Sequence, residues 1–178
     1  QFIRLACLGC LGMAGFAQSS QSAQGGASSA VSGADKKFAM MVAQTDLAEI
    51  EVGNLALQKS SDAQVKQVAQ KLVDDHTKTS TAMKEIAAQK GLTLPTETDA
   101  KHKALATKLQ GESGKDFDKD FLDANSKDHH KVVSAFEKES TDGKDPEIKQ
   151  FAVQFLPAIK EHTTMIDQAR GQSGAESQ

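Results

Sequence analysis

Four long segments of the chain carry apolar side chains at intervals of three and four residues. The segments cover about residues 35–59, 62–90, 115–140 and 146–170. This spacing places the apolar side chains of each segment on one face of an α-helix. Tyr and Trp are absent, and no alternating apolar and polar run reaches the length of a strand. The sequence therefore predicts an all-α domain over residues 35–170: a four-helix bundle with a short extra connector helix over about residues 98–110.

Residues that start and stop helices mark the ends of these segments. Asp62 and Asp145 are predicted N-caps, and Pro146 suits the first position of a helix. Gly91 is a predicted helix end. Pro157 lies inside the last segment, where a missing N–H should kink the helix. A bend that positions a nearby histidine and a bend that only follows the core are both possible, and we favour the second.

Two stretches of sequence recur at the same offset. Residues 35–38 match residues 118–121, and residues 62–69 match residues 145–152, with 83 positions between the members of each pair. The repeat predicts two related helical hairpins joined by a connector over 91–114. That connector is long enough to cross the bundle, as the ferritin-like topology requires. An up-down-up-down bundle is the competing topology.

Four ionisable residues interrupt the apolar faces, one on each long helix: Glu49, His76, His129 and His162. Each hairpin places its two residues at nearly equal distances from its turn, so the four should meet midway along the bundle with buried side chains. Three imidazoles and one carboxylate suit a transition metal such as Zn, Fe, Cu or Ni. The alternative is a structural polar network in which Glu49 accepts a hydrogen bond from a histidine. The Glu-x-x-His motifs of di-iron bundles are absent, which argues against a ferroxidase centre.

Other polar residues of the same segments fit a solvated surface. We expect His102 and His130 to be solvated. Asp74 and Asp75 could be hydrogen-bond partners of the histidines, although a charged outer face suits them better. Gly-rich phosphate loops and nucleophile elbows do not occur in the sequence.

The first residues have the features of an export signal. Arg4 precedes an apolar run, and small residues precede a predicted cleavage site after Ala17. We expect a signal peptide over 1–17, a flexible linker over 18–34 and a disordered tail over 171–178. Lipidation of Cys10 is the alternative to cleavage after Ala17. Export would place the mature protein in the periplasm or cell envelope.

Several stretches resemble a bacterial exported family called domain of unknown function 4142, whose members are often labelled predicted outer-membrane proteins. The resemblance covers nearly all of residues 35–170, and its strongest stretches are 48–56, 68–76, 91–95, 128–129 and 156–162. It implies a ferritin-like helical bundle in the envelope, with outer-membrane association possible. It implies no established activity.

Composition narrows the functional classes. The formal net charge is -3, with 21 basic and 24 acidic residues, which does not suit a nucleic-acid partner. We expect no membrane span in the mature protein. The leading interpretation is an envelope module that binds an unknown protein or envelope partner or serves in stress tolerance. The alternative is a metal-binding or redox bundle that uses Glu49 and the three histidines. Whether it is an enzyme stays open, and the sequence leans against it.

Overall fold

A computed structural model describes residues 30–175, with side chains up to residue 172. This part of the chain contains α-helices and no strand: α1 (Gly33–Lys59), α2 (Ala63–Lys90), α3 (Ala100–Gly111), α4 (Gly114–Asp142) and α5 (Pro146–Ala175). The all-α prediction is confirmed. The predicted helix limits agree with these bounds within two residues, except that α5 continues to Ala175, into the segment we expected to be a disordered tail. The predicted signal peptide (1–17) and residues 18–29 of the predicted linker (18–34) lie outside the described residues, and α1 begins within the last two residues of that linker.

The predicted caps form as the sequence indicates. The Asp62 carboxylate accepts the backbone N–H groups of the residues two and three positions later, at 2.7 and 3.0 Å. Asp145 caps α5 in the same way, at 3.1 and 3.1 Å. Each cap stabilises its helix by about 1 kcal/mol. Gly91 ends α2 with φ +63°, in the left-handed region that glycine adopts without strain. The second helix of each hairpin, α2 in one and α5 in the other, therefore starts with the same kind of aspartate cap, as the repeat in the sequence predicts.

The directions of the helices follow from contacts at one end of the bundle. Lys59, at the end of α1, lies 5.7 Å from the ring centre of Phe117, at the start of α4. Gln64, at the start of α2, hydrogen-bonds Gln172, near the end of α5. Hence α1 is antiparallel to α4, and α2 is antiparallel to α5. Since α1 and α2 form one hairpin and α4 and α5 the other, α2 and α4 run in the same direction. The connector therefore traverses the length of the bundle, and the up-down-up-down alternative is wrong.

Two apolar clusters fill the bundle interior, one towards each end. One is built around Leu72, Leu109, Phe117, Phe121, Leu122 and Ile166. The other is built around Phe38, Met83, Phe136, Ile148, Phe151 and Ile159. On each long helix the polar residues predicted to face inward lie between members of these two clusters. A layer of buried polar groups is therefore enclosed by apolar packing on both sides, where water is excluded and electrostatic interactions strengthen.

The remaining elements complete the frame around this layer. α3 packs across α1 and α4, and Leu109 is its buried residue. Lys59 donates a hydrogen bond to the Leu109 carbonyl at 3.1 Å, which fixes the end of α3. α5 continues without a break through the exposed Pro157.

In the described part of the chain, no helix combines the length and the apolar character needed to cross a bilayer.

Candidate metal centre

Three histidine side chains from three helices meet in the buried polar layer. His76 of α2, His129 of α4 and His162 of α5 are 2%, 1% and 1% exposed. Their ring centroids lie 5.4 to 5.7 Å apart. One ring nitrogen of each histidine lies within 4.8 Å of a ring nitrogen of the other two, which is close enough for a single ion to be coordinated by all three. The predicted convergence of the three histidines is confirmed.

Each ring is held by a hydrogen bond on one nitrogen only. His76 Nδ1 bonds the Asp46 carboxylate at 2.8 Å, and His129 Nδ1 bonds the Asn125 backbone carbonyl at 3.0 Å. His162 Nε2 bonds the Asp75 carboxylate at 3.0 Å. The opposite nitrogens, Nε2 of His76 and His129 and Nδ1 of His162, are buried and have no hydrogen-bond partner. Since a carbonyl or carboxylate accepts a proton from the anchored nitrogen, the other nitrogen of each neutral ring keeps a lone pair for a ligand.

The anchor of His76 is a residue that the sequence interpretation missed. Asp46 is 2% exposed, and besides His76 its Oδ1 accepts the Thr79 hydroxyl at 2.7 Å. A signal was present in the sequence: Asp46 lies 83 positions before His129, and Thr79 lies 83 positions before His162. The hairpin repeat therefore puts Asp46 and Thr79 at the positions that histidines occupy in the second hairpin.

The anchor of His162 corrects another expectation. Asp75 does not belong to a freely solvated outer face, since its side chain is 12% exposed and its Oδ2 bonds His162. Burial opposes ionisation of Asp75, but hydrogen bonds from Lys78, Lys71 and His162 outweigh it and lower its pKa. The carboxylate therefore stays charged and can support a cation held by His162. Its neighbour Asp74 is exposed, as expected.

Glu49 is buried as predicted, but it does not belong to the close group of nitrogens. It is 4% exposed, and its Oε2 has no hydrogen-bond partner. The described side chains include no hydrogen bond from a histidine ring to Glu49, because Asp46 accepts from His76 instead. Burial raises the pKa of Glu49 to about 7, and the opposing charge of His76 limits this rise. A buried carboxyl group with one unpartnered oxygen thus lies on α1, one turn after Asp46.

The three histidines differ in the direction in which their surroundings shift the pKa. Burial lowers the pKa of His129 well below its ordinary value, and the charges of His76 and His162 lower it further. Burial also lowers the pKa of His162 to about 4. For His76, burial opposes the charged form, but the hydrogen bond and charge of Asp46 raise the pKa. At neutral pH, His129 and His162 are therefore in the neutral form that a metal ion requires.

Two further histidines were expected to be solvated, and one is not. His130 has a side chain 61% exposed and pairs with Asp167 on α5. His102, in contrast, has a side chain only 14% exposed. Its Nδ1 lies 3.0 Å from Asp99, and its Nε2 lies 3.7 Å from Asp128 on α4. The contact with Asp128 depends on how α3 lies across α4, and local sequence patterns contain no signal for that packing.

Comparison with known families agrees with the resemblance of the sequence. The model of the family described as "Domain of unknown function (DUF4142)" matches residues 20–169. The chain belongs to this family. Among curated proteins, none matches significantly. The DUF4142 family description contains no activity.

One solved structure shares the architecture of this DUF4142 chain. It is a DUF305 fragment from Deinococcus radiodurans, matched with a TM-score of 0.72 at 14% sequence identity. The match covers 81% of this chain and 99% of that one. At this identity the likeness concerns the fold alone. It shows that a second helical domain of unknown function has this arrangement.

Proposed function

We propose that this protein is an exported envelope protein that binds one transition-metal ion through His76, His129 and His162. The proposal includes a ferritin-like arrangement of the four long helices, which the crossing connector and the directions of the helices support. It also includes cleavage of the segment over 1–17, for which the support is the charge and apolar pattern of that segment.

The observation that carries the metal assignment is the set of three unpartnered ring nitrogens. In a purely structural network, the rings would hydrogen-bond one another or Glu49, because a buried polar atom without a partner costs about 1–3 kcal/mol. Instead each ring directs its bonded nitrogen to an acceptor outside the cluster and leaves the other nitrogen without a partner. An acceptor on the second nitrogen of each ring is the usual arrangement around metal-binding histidines.

The dimensions of the centre suit a first-row metal after a small contraction. Zn–N bonds of about 2.0–2.1 Å in tetrahedral geometry bring the nitrogens to about 3.3 Å from one another. The present limit of 4.8 Å requires each pair to close by no more than about 1.5 Å, a movement within reach of ring rotation. Glu49, with its buried and unpartnered Oε2, is the candidate for the fourth ligand that the sequence predicted.

The charge around the centre also favours a cation. Asp46 and Asp75 each bond a histidine of the centre, and Glu49 interacts electrostatically with His76. These carboxylates stabilise a divalent ion in a layer that apolar clusters enclose on both sides. The enclosed position suits holding an ion, or cycling its oxidation state, better than turnover of a large substrate. An envelope module that binds a protein partner has no comparable feature among the described residues.

Metal titration of the purified mature protein tests the assignment. After chelator treatment, we expect one equivalent of Co²⁺ to bind with a visible absorption band of a nitrogen-ligated ion, and Zn²⁺ to displace it. His129→Gln and His162→Gln should lose this site, whereas the exposed His130→Gln should keep it. Circular dichroism of each variant confirms that the bundle is folded. If the wild type binds no metal, or if His130→Gln loses as much as His129→Gln, the metal assignment is wrong.

A further inference from the structure

The unpartnered polar atoms of the buried layer, as far as the chain is described, are all hydrogen-bond acceptors. Besides the three free ring nitrogens, they are Asp46 Oδ2, Glu49 Oε2 and Asn125 Oδ1. A ring nitrogen without a proton, an ionised carboxylate and an amide oxygen accept hydrogen bonds but cannot donate them. These atoms therefore cannot satisfy one another. The layer needs a cation for the nitrogens and a group with hydrogens to donate for the oxygens.

Asn125 is the least expected member of this group. It is 2% exposed and lies on α4 between the two apolar clusters. The equivalent position of the first hairpin, 83 residues earlier, is Val42, which is also 2% exposed. An apolar side chain is thus enough for packing at this position. The amide occurs in the hairpin that has His129 four residues later, whereas Val42 precedes Asp46 by four.

Two hydrogen bonds hold Asn125 one turn from the ring of His129. Its Nδ2 donates to the Phe121 carbonyl at 2.8 Å, and since a carbonyl only accepts, the other end of the amide is the oxygen. The backbone carbonyl of Asn125 accepts from His129 Nδ1 at 3.0 Å. Residues four apart share a helix face, with Cβ atoms about 5–6 Å apart. The amide therefore lies on the same face of α4 as the ring, and its oxygen is left without a donor.

Typical bond lengths favour contact with the ion through a water molecule. An oxygen ligand lies about 2.0–2.2 Å from Zn²⁺, and the acceptor of a hydrogen bond from that ligand lies about 2.7–2.8 Å beyond it. Such an acceptor is up to about 5 Å from the ion, which suits a side chain one helical turn from a ligand. Glu49 lies outside the close group of nitrogens, so three protein ligands remain. Zinc sites with three protein ligands keep the fourth position for water or a substrate.

We propose that the ion bound by the three histidines keeps its fourth position for a small oxygen ligand that carries a hydrogen, water in the resting centre, and that Asn125 Oδ1 accepts this hydrogen. The proposal rests on the proposed metal-binding function and assigns the fourth position to an exchangeable ligand instead of Glu49. Asn125 is a specificity-determining residue in this centre. Water and hydroxide satisfy its oxygen, whereas azide and cyanide leave that oxygen without a donor.

Azide titration of the Co²⁺-loaded mature chain, followed by the visible absorption band, tests the role of Asn125. In the wild type we expect one azide to replace the water with a saturable change of the band. Asn125→Val introduces the residue of the equivalent position and should bind azide about three- to tenfold more tightly, because water then loses a hydrogen bond that azide never makes. Asn54→Val is the matched control and should bind azide as the wild type does. Asn54 is exposed, and its Nδ2 makes the same bond to the carbonyl four residues earlier, that of Ile50, at 2.7 Å.

A measurement on the wild type alone is independent of how well the variants fold. Electron–nuclear double resonance of the Cu²⁺-loaded protein should show strongly coupled protons that disappear in deuterated water, as a bound water requires. Their absence would overturn the assignment, and so would an azide affinity that is unchanged or lower in Asn125→Val. If neither Co²⁺ nor Cu²⁺ binds, the proposed function itself fails, which differs from an ion that binds without a water ligand.

Discussion

Glu139 gives a test of the electrostatics that does not depend on metal. Its side chain lies at the end of the bundle where α1, α4 and α5 meet, and it is 6% exposed. The charge of Asp35 acts on it, and the Asp35 carboxylate accepts the backbone N–H groups of Lys144 and Asp145 at 3.1 and 2.8 Å. Burial, with the charges of Asp35, Asp145 and Asp142, raises the pKa of Glu139 to about 7. The proton of this carboxyl pair therefore lies on Glu139.

The sign of the pH dependence follows from this pKa. Because the pKa of Glu139 is higher in the folded than in the unfolded chain, the folded state binds more protons between about pH 4.5 and 7. Its contribution to stability is thus full below about pH 4.5 and is lost as the pH rises through about 7. The rise of the pKa from 4.5 to about 7 corresponds to about 3 kcal/mol at full value. Solvent at the bundle end and Lys90, which pairs with Asp145 at 2.8 Å, reduce the expected effect to about 1–2 kcal/mol.

Glu139→Gln replaces the carboxyl with a neutral group of the same shape. We expect its free energy of unfolding to match the wild type at pH 5 and to exceed it by about 1–2 kcal/mol at pH 8.5. Urea denaturation with EDTA present measures both differences. Glu137→Gln, on the same helix with a side chain 50% exposed, is the charge-matched control and should change little at either pH. An equal gain for Glu139→Gln at both pH values, or no gain at pH 8.5, would refute the reasoning.

Three further outcomes are expected. Gly53→Ala should destabilise the protein by about 1–3 kcal/mol in urea denaturation, since a Cβ there would lie 2.7 Å from Val73 Cγ2, and Val73→Ala should relieve part of the loss. Asp46→Asn should weaken Zn²⁺ affinity by about 10–100-fold in a chelator competition while the chain stays folded, because His76 loses its charged anchor. An unchanged affinity would count against Asp46 as the anchor of a metal ligand. Zn²⁺ at a free concentration 100 times its Kd should raise the free energy of unfolding by about 2.7 kcal/mol relative to EDTA, and His129→Gln should abolish this gain.

The helices could be predicted from the sequence because the patterns that start, continue and end a helix are local. Apolar spacing and caps such as Asp62 and Gly91 act within a few residues, and the structure places the helix ends where these signals predict them. The convergence of the three histidines was also predictable, since the inward face and the height along each hairpin follow from residue counts. Residue counts give the height of a side chain along the bundle but not its distance from other side chains across the bundle. They therefore could not show that Glu49 lies outside the close group of histidine nitrogens.

The partners of the rings were harder to predict because they depend on side-chain orientation. Which nitrogen of His76 faces α1 determines that Asp46, rather than Glu49 one turn later, accepts its proton. Asp75 bonds a ring on another helix, α5, so its role follows from how α2 and α5 pack together. His102 depends in the same way on how the connector helix lies across α4.

The repeat of 83 positions has a consequence for the symmetry of the centre. Each histidine of the centre has an equivalent position in the other hairpin, 83 residues away. The histidines form one set, and the equivalent residues form the other: Ile159 for His76, Asp46 for His129 and Thr79 for His162. Two identical hairpins paired as a homodimer would carry the same residue at both members of every such pair. Fusion into one chain removes that restriction, so one set can supply three imidazoles while the other supplies a carboxylate, a hydroxyl and an apolar contact. A single ion per chain, bound by residues of one set only, is the stoichiometry that this division of roles permits.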